Sequence, residues 1–271
     1  MRKGKILFTD LDGTLLSEDQ SVSEENQNAI KRALSEGKWI AAATGRPLES
    51  GIRQMERLGL TAPGCYMIAF NGSVLYDCYQ KKILSENTIP LPLVKTLIQK
   101  AGQARLYIQT YDKTHILAKE HTKELDFYAG KTGMPYRIAP DLVNFLQEEP
   151  YKALLISLEN RKTLEDFQKE NEVWTKQSFN CFFSCNEYLE YCPKGVSKGD
   201  ALLRLCSILG IMPSCAVAVG DECNDISMLK AAGIGAAVKN AVQKVKEAAD
   251  YVTKQDHNHN AVAEVIERFL L

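Results

Sequence analysis

The sequence lacks several features that mark special classes of protein. Its 271 residues include no run of about 18 apolar residues, so no transmembrane helix is predicted. Basic and acidic residues nearly balance, at 33 and 34, so the chain lacks the strong overall basicity that is typical of a protein that coats nucleic acid or an anionic membrane. We therefore expect neither nucleic acid nor a membrane as a partner.

An export signal and a disulfide framework are also missing. After the basic residues near the N-terminus, the apolar run at residues 6–8 is too short for the core of a signal peptide. The eight cysteines include no C-x-x-C pair, and in a chain of this length they are more typical of free thiols than of a disulfide scaffold. These observations predict a cytoplasmic protein.

Apolar segments at both ends of the chain alternate with helical ones. Residues 5–9, 39–43, 66–70, 216–219 and 234–238 are mostly apolar, and the segments between them place apolar side chains at helical spacing. Strands that lack a polar face and alternate with helices are typical of a parallel sheet covered on both sides. The two ends of the chain therefore predict an α/β fold.

The middle of the chain has a different pattern, richer in tyrosine, phenylalanine and polar residues. The predicted strands there are 106–109, 115–118, 152–158 and 180–184, and the predicted helices lie near 92–101, 121–130 and 162–170. This pattern predicts an α+β domain at residues 84–190. It would be inserted into a discontinuous α/β domain formed by residues 1–83 and 191–271.

Four polar clusters directly follow segments predicted as strands. They are Asp10-Leu11-Asp12-Gly13-Thr14, Thr44-Gly45-Arg46, Asn71-Gly72 and Gly220-Asp221-Glu222-Cys223-Asn224-Asp225. Each cluster alone could be an ordinary turn or helix cap. In an open α/β sheet, however, ligands bind at the carboxyl ends of the strands, so the four clusters are expected to line one crevice.

These clusters resemble the motifs of the haloacid dehalogenase superfamily of phosphotransfer enzymes, and more narrowly those of its Cof-type phosphatases. Residues 10–14 are similar to the first family motif and residues 44–46 to the second. Residues 193–202, which include Lys198, are similar to the third motif, and residues 220–225 to the fourth. The resemblance covers the whole chain. It implies a Rossmann-like parallel-sheet core with an inserted α+β cap domain that selects the substrate.

The resemblance also implies a role for each matched residue. Asp10 would be the nucleophile that forms an aspartyl-phosphate, and Asp12 would be the general acid and base. The implied Mg²⁺ ligands are Asp10, the backbone carbonyl of Asp12, Asp221 and, through a bound water, Asp225. The groups implied for binding the substrate phosphate are Leu11 and Gly45 through their backbone N–H, Thr44, Arg46, Asn71, Lys198 and Asn224.

The chemistry of phosphoryl transfer accounts for this set of residue types. A carboxylate nucleophile and a phosphate dianion repel each other, so a cation has to bridge them, and Mg²⁺ prefers oxygen ligands. Lys198 would add positive charge for the phosphoryl oxygens, with Lys194 as a nearby alternative.

Two further features bear on the choice of function. The loop at residues 256–259 contains His257 and His259 and could suggest a metal site, but alternating histidines in a polar loop are more typical of a solvated segment. The pattern G-x-x-x-x-G-K-[ST] is absent, so ATP hydrolysis on a P-loop is not supported.

The sequence thus predicts a Mg²⁺-dependent phosphatase of small phosphorylated metabolites, with sugar phosphates as the first substrate class. One alternative is a phosphotransferase such as a phosphomutase, which uses the same aspartyl-phosphate but passes the phosphoryl group to a sugar. Another is a non-catalytic, receiver-like module that binds phosphate, since it would share the acidic strand-end cluster. We expect a monomer or a weak homo-oligomer.

Overall fold

The computed structural model describes residues 4–271, which divide into two units. The first unit consists of residues 4–45, Gly51–Ser85 and Ser197–Leu271, and the second of Arg46–Ser50 and Glu86–Val196. The first unit is therefore built from both ends of the chain. All eight cysteines lie in the described residues and are free thiols.

The regular elements are named here in chain order. The strands are β1 (Ile6–Thr9), β2 (Trp39–Ala43), β3 (Cys65–Ala69), β4 (Val74–Asp77), β5 (Lys82–Glu86), β6 (Tyr107–Tyr111), β7 (Ile116–Ala118), β8 (Tyr136–Ile138), β9 (Ala153–Ile156), β10 (Phe179–Cys185), β11 (Tyr188–Pro193), β12 (Ala216–Gly220), β13 (Ile234–Ala237) and β14 (Tyr251–Val252). The α-helices are α1 (Glu24–Ser35), α2 (Leu48–Arg57), α3 (Leu91–Gln103), α4 (Lys123–Thr132), α5 (Leu142–Phe145), α6 (Arg161–Glu170), α7 (Glu172–Ser178), α8 (Lys198–Leu209), α9 (Ile226–Ala231), α10 (Gln243–Ala248) and α11 (Ala261–Val265). Within residues 4–271, none of these helices has the length and apolar character needed to cross a membrane.

An eight-stranded sheet organises the first unit, in the order β14-β13-β12-β1-β2-β3-β4-β5. The strands from β14 to β3 pair in parallel, and β3 pairs with β4 in antiparallel fashion. The side chains of β1, β3 and β12 are buried throughout, as in strands covered on both faces. The predicted α/β fold with a parallel sheet is confirmed. The sequence pattern does not predict β5, because this strand is largely exposed and mixes polar with apolar residues.

The register of the parallel strands brings their carboxyl ends to one edge of the sheet. Phe8 of β1 pairs with Ala41 of β2 and with Ala218 of β12, and Ala218 in turn pairs with Gly235 of β13. Strands in such a register end at similar levels. The loops after β1, β2, β12 and β13 therefore start from the same edge of the sheet.

Helix α8 begins where the sequence supplies a capping side chain. Ser197 Oγ accepts a hydrogen bond from the backbone N–H of Asp200 at 3.1 Å, and Gly210 ends the helix in a left-handed conformation with φ of 68°. An N-cap hydroxyl satisfies one of the N–H groups that the first helical turn leaves unpaired. The cap makes Lys198 the first residue of α8, where its side chain is buried.

We expect Ser197→Ala to lower the free energy of unfolding by about 1 kcal/mol, because the hydroxyl that caps α8 is removed. The control is Ser207→Ala, which changes an exposed serine inside the same helix and should alter the free energy by less than about 0.5 kcal/mol. Urea denaturation measures both variants. Equal effects would contradict the capping role of Ser197.

A six-stranded sheet organises the second unit, in the order β10-β11-β9-β6-β7-β8, and only the β7–β8 pair is parallel. Its apolar core includes Leu97 of α3, Leu155 of β9 and Phe167 of α6. The predicted strands of this region are present as β6, β7, β9 and β10, and the predicted helices as α3, α4 and α6, with shifts of a few residues at their ends. The sequence pattern does not predict β11, because a charged residue, Glu190, occupies one of its buried positions.

The other face of this sheet carries polar and aromatic side chains. Because side chains alternate along a strand, Glu190 and Tyr111 point away from the apolar core. Lys152 Nζ lies 2.9 Å from Glu190 Oε2, and the ring centroids of Tyr111 and Tyr128 lie 5.5 and 5.7 Å from the same nitrogen. Burial alone would lower the pKa of Lys152, but the charge and hydrogen bond of Glu190 together with the neighbouring Tyr128 outweigh burial and raise the pKa. The second unit therefore buries a charged pair among tyrosines.

Candidate active site

Acidic side chains from two strand ends lie together in the first unit. Asp10 directly follows β1, Asp221 directly follows β12, and Asp225 ends the short 3₁₀ turn Cys223–Asp225. One carboxylate oxygen of each aspartate lies within 4.8 Å of the other two. The first and fourth polar clusters therefore meet at this edge of the sheet, where the sequence predicts a ligand-binding crevice.

Lys198 balances part of the negative charge. Its Nζ donates to Asp10 Oδ1 at 2.5 Å and to Asp225 Oδ1 at 2.6 Å, and only 1% of the lysine side chain is exposed. Burial alone would lower the pKa of Lys198, but the two carboxylates outweigh burial and raise the pKa, so the ammonium stays charged. Lys194, the alternative from the sequence, is exposed and donates to the backbone carbonyl of Lys176. The buried cation of this site is Lys198.

The three carboxylates carry more charge than one lysine neutralises. Burial raises the pKa of Asp10 and of Asp221 well above the ordinary range, and the neighbouring carboxylates raise both further. Thr14 Oγ1 donates to Asp221 Oδ1 at 2.6 Å, which opposes the shift at Asp221. The site therefore has excess negative charge in a buried place.

This donor set fits a hard divalent cation. Carboxylate oxygens are ligands that Mg²⁺ prefers, and a dication would favour the ionised forms of Asp10 and Asp221, whose pKa is raised by burial first and by neighbouring carboxylates second. Asp225 is held differently, because its Oδ2 accepts from the backbone N–H of Asp221 at 3.0 Å and of Glu222 at 3.1 Å, while Oδ1 accepts from Lys198. Asp225 therefore fits a contact through water better than a direct one.

Glycine is required at two points next to carboxylates of the acidic cluster. A Cβ on Gly13 would lie 2.6 Å from Asp221 Oδ2, and the backbone φ of Gly13 is +81°. A Cβ on Gly220 would lie 2.5 Å from Asp225 Cγ. Any larger residue at either position would collide with a carboxylate of the cluster. Gly13 therefore lets the loop after β1 touch Asp221, and Gly220 lets the loop after β12 fold back on itself at Asp225.

Two side-chain amides, Asn71 after β3 and Asn224 after β12, meet in the first unit. Asn71 is fully buried in a left-handed conformation with φ of 56°, and its backbone N–H donates to the Thr44 carbonyl at 3.0 Å. Asn224 Nδ2 donates to Asn71 Oδ1 at 3.0 Å, and a Cβ on Gly45 would lie 3.1 Å from that oxygen. Asn71 Nδ2 is buried without a hydrogen-bond partner among the described residues. Such a donor is costly to leave unpaired, so it marks a place for a ligand oxygen.

The remaining predicted site residues lie next to these groups in the chain. The charge of Asp12 is one of the causes that raise the pKa of Asp10, so the two side chains interact. Leu11 is buried, and its carbonyl accepts from the Leu16 N–H at 2.8 Å, which closes the turn after β1. Arg46 is largely buried and belongs to the short segment of the second unit.

One polar residue at this edge is absent from the sequence prediction. Asn240 lies just after β13, in a segment that follows the apolar run at 234–238, and its side chain reaches the Gly13 carbonyl at 2.8 Å. A signal was available, because Asn240 follows a predicted strand by only a few residues, at the end of the strand where ligands bind in an open α/β sheet.

The histidine-containing loop has no part in the acidic cluster defined within residues 4–271. His259 Nδ1 lies 2.7 Å from Asp256 Oδ1, and 69% of the histidine side chain is exposed. Asn258 Oδ1 accepts from the backbone N–H of Glu18 at 3.1 Å, which ties the loop to the chain after the first polar cluster. His259 therefore matches the solvated segment that the sequence favours, whereas His257 is half-buried and its Nδ1 has no hydrogen-bond partner among the described residues.

Known proteins are similar to this chain in sequence and in fold over nearly its whole length. A model of haloacid dehalogenase-like hydrolases matches residues 7–266. The 5-amino-6-(5-phospho-D-ribitylamino)uracil phosphatase YwtE of Bacillus subtilis is 29% identical over 98% of both chains. The pyridoxal phosphate phosphatase YbhA of Escherichia coli is 27% identical over 98% of this chain and 99% of its own. The crystal structure of a haloacid dehalogenase-like hydrolase from Bacteroides thetaiotaomicron matches with a TM-score of 0.88 at 29% identity, covering 98% of this chain and 99% of that one.

The matched residues include all four polar clusters and Lys198. They also include elements of both units, so the similarity concerns the inserted region as well as the sheet that carries the acidic cluster. The resemblance drawn from the sequence motifs is confirmed. The chain belongs to the haloacid dehalogenase-like hydrolase family and is one of its Cof-type members.

Proposed function

We propose that this protein is a Mg²⁺-dependent phosphatase that hydrolyses small phosphorylated metabolites, sugar phosphates first among them, through an aspartyl-phosphate. The chain is a hydrolase of phosphoric monoesters, as its named relatives are. The observation that carries the proposal is the setting of Asp10, a buried carboxylate at a strand end that is held by Lys198 and grouped with Asp221 and Asp225.

Asp10 supplies the nucleophile of the first step. Its carboxylate attacks phosphorus, the bond from phosphorus to the ester oxygen breaks, and the phosphoryl group is transferred to Asp10. Lys198 stabilises the charge of the transferring oxygens, since its ammonium is buried and already lies at hydrogen-bond distance from Asp10.

Asp12 moves the protons in both steps. It gives a proton to the leaving alcohol in the first step, and it takes a proton from the water that attacks the aspartyl-phosphate in the second step. Free phosphate leaves and Asp10 is restored. The position of Asp12, two residues beyond Asp10 and close enough to perturb its pKa, supports this assignment.

The metal would be held by Asp10, the backbone carbonyl of Asp12 and Asp221, with Asp225 acting through water. When bound, Mg²⁺ supplies the positive charge that lets a carboxylate approach a phosphate dianion.

Neutral donors complete the proposed phosphate site. Asn71 Nδ2 is the strongest of them, because it is buried and aimed by Asn224 through the bond to Asn71 Oδ1. The hydroxyl of Thr44 and the backbone N–H groups of Leu11 and Gly45 are assigned the same role. These groups bind the phosphoryl oxygens in every substrate, so they do not select among leaving groups.

We assign selection among substrates to the second unit, which includes Arg46. The residues proposed for the chemistry all lie in the first unit; they are Asp10, Asp12, Lys198, Asp221 and Asp225. The two named relatives carry the names of dissimilar phosphorylated compounds, a ribitylaminouracil phosphate and pyridoxal phosphate. A shared catalytic site with differing substrates supports placing selectivity outside the acidic cluster.

A phosphate-release screen tests the function. The panel contains hexose and pentose phosphates, nucleotides, pyridoxal phosphate and flavin mononucleotide, each with Mg²⁺ and with EDTA. We expect release from at least one sugar phosphate with Mg²⁺ and its loss with EDTA, since the acidic cluster needs a cation. Absence of release across the panel would refute the phosphatase. Conversion of a hexose 1-phosphate to the 6-phosphate without free phosphate would identify a phosphomutase instead.

A further inference from the structure

We infer that Asn240 is a positioning residue that holds the turn after Asp12 in place for metal binding and turnover. The inference rests on the proposed function, because it concerns the Mg²⁺ ligands named there. It is carried by two hydrogen bonds of the Asn240 side chain and by the loops that they join.

The turn that carries Asn240 is attached to the Asp221 loop through the backbone. Val238 N–H donates to the Gly220 carbonyl at 3.2 Å, and Val242 N–H donates to the Asp221 carbonyl at 3.0 Å. These bonds flank Asn240 on both sides. These two bonds therefore fix the position of the Asn240 backbone relative to Asp221.

Both polar atoms of the Asn240 side-chain amide form hydrogen bonds. Nδ2 donates to the Gly13 carbonyl at 2.8 Å, and Oδ1 accepts from the backbone N–H of His257 at 3.0 Å. A side-chain amide can donate at one end and accept at the other, which a carboxylate cannot do. Asn240 thus joins three loops, those after β1, β13 and β14.

The Gly13 peptide is confined between Asn240 and Asp221. Its carbonyl is bound by Asn240, while its α-carbon lies so close to Asp221 that a Cβ would be 2.6 Å from Oδ2. The next residue, Thr14, donates to Asp221 Oδ1 at 2.6 Å. Loss of the Asn240 bond would remove one restraint on the Gly13–Thr14 peptide, which is the next peptide after the one that contains the Asp12 carbonyl, a proposed metal ligand.

The side chain of Asn240 is hydrogen-bonded to backbone groups, and the residue is exposed. Its effect should therefore reach the reaction through the Asp12–Thr14 turn. Groups that orient metal ligands typically contribute about 10–100-fold to metal affinity or activity. Substrate affinity at saturating Mg²⁺ should change little, because three of the proposed phosphate donors, Thr44, Gly45 and Asn71, belong to loops that Asn240 does not join.

The experiment compares wild type with Asn240→Ala and Asn240→Asp. Isothermal calorimetry measures Mg²⁺ binding without substrate, and p-nitrophenyl phosphate hydrolysis at saturating Mg²⁺ gives kcat and KM. We expect both variants to bind Mg²⁺ about tenfold more weakly and to lose about tenfold in kcat, with KM changed by less than about twofold. Asn240→Asp keeps an acceptor for His257 but cannot donate to Gly13, so its loss would locate the effect at the Gly13 bond.

The matched control is Asn258→Ala, which removes a different side-chain brace, that to the Glu18 N–H, from the neighbouring loop. It should keep wild-type Mg²⁺ affinity and kcat. Wild-type Mg²⁺ affinity in Asn240→Ala, or an equal loss in Asn258→Ala, would overturn the role of Asn240. Absence of Mg²⁺ binding by the wild type would instead refute the metal dependence in the proposed function, so the two failures are distinct.

Discussion

Asp10→Asn should reduce phosphate release by about 10⁴-fold or more, the scale on which removal of a covalent nucleophile acts in other hydrolases. The amide has the shape of the carboxylate but cannot attack phosphorus to form the aspartyl-phosphate. The measurement is kcat at saturating Mg²⁺ with whichever substrate the screen selects. A rate within about 100-fold of wild type would contradict the covalent mechanism.

The fold should survive this substitution. Lys198 Nζ can still donate to the amide oxygen of the substituted side chain and to Asp225, and one charge is removed from a cluster that carries an excess. The melting temperature without metal should therefore stay within about 4 °C of wild type, a shift equivalent to about 1 kcal/mol for a chain of this size. The matched control is Asp19→Asn, which makes the same change at an exposed aspartate nine residues along the chain and should keep the wild-type rate.

Lys198→Met should lower the free energy of unfolding by about 3–5 kcal/mol, because removing one partner leaves buried carboxylates without their counter-charge. Lys198 Nζ is bonded to both Asp10 and Asp225, and methionine fills a similar volume without the ammonium. The same variant should lose at least about 10²-fold in kcat, since the transferring oxygens lose a preorganised positive charge. Urea denaturation without metal and steady-state kinetics measure the two effects.

Lys194→Met is the matched control, with the same substitution four positions earlier. Lys194 is exposed and donates only to a backbone carbonyl in the contacts that the structure describes, so the free energy of unfolding should change by less than about 0.5 kcal/mol. Equal destabilisation by the two substitutions would mean that the acidic cluster does not depend on Lys198 for its charge balance.

The acidic cluster is largely predictable from local sequence. Asp10 and Asp221 each directly follow a short, mostly apolar strand, and in a parallel sheet such positions lie at one edge whatever the chain does in between. The strands themselves are recognisable because burial on both faces leaves no polar positions in them. The fold class and the location of the chemistry therefore follow from patterns that span only a few residues.

Four strands are not predicted from the sequence, β4, β5, β8 and β11, and the burial of β11 depends on a distant partner. Glu190 interrupts the apolar pattern of β11, and it is buried because Lys152, which lies far earlier in the chain, pairs with it. An isolated stretch of sequence contains no information about such a pairing. The edge strand β5 is not predicted for the opposite reason, since its exposure removes the apolar pattern by which strands are recognised.

The sequence by itself determined which residue types follow the buried strands, and with them the kind of chemistry at that edge. Only the tertiary structure decided that Lys198, and not Lys194, is the buried cation, because the start of α8 and the approach of Asp10 set that contact across 188 residues. The same holds for Asn240, whose bond to Gly13 spans 227 residues. Local patterns report burial and periodicity, whereas a hydrogen bond between loops depends on where the packed sheet places both of its ends.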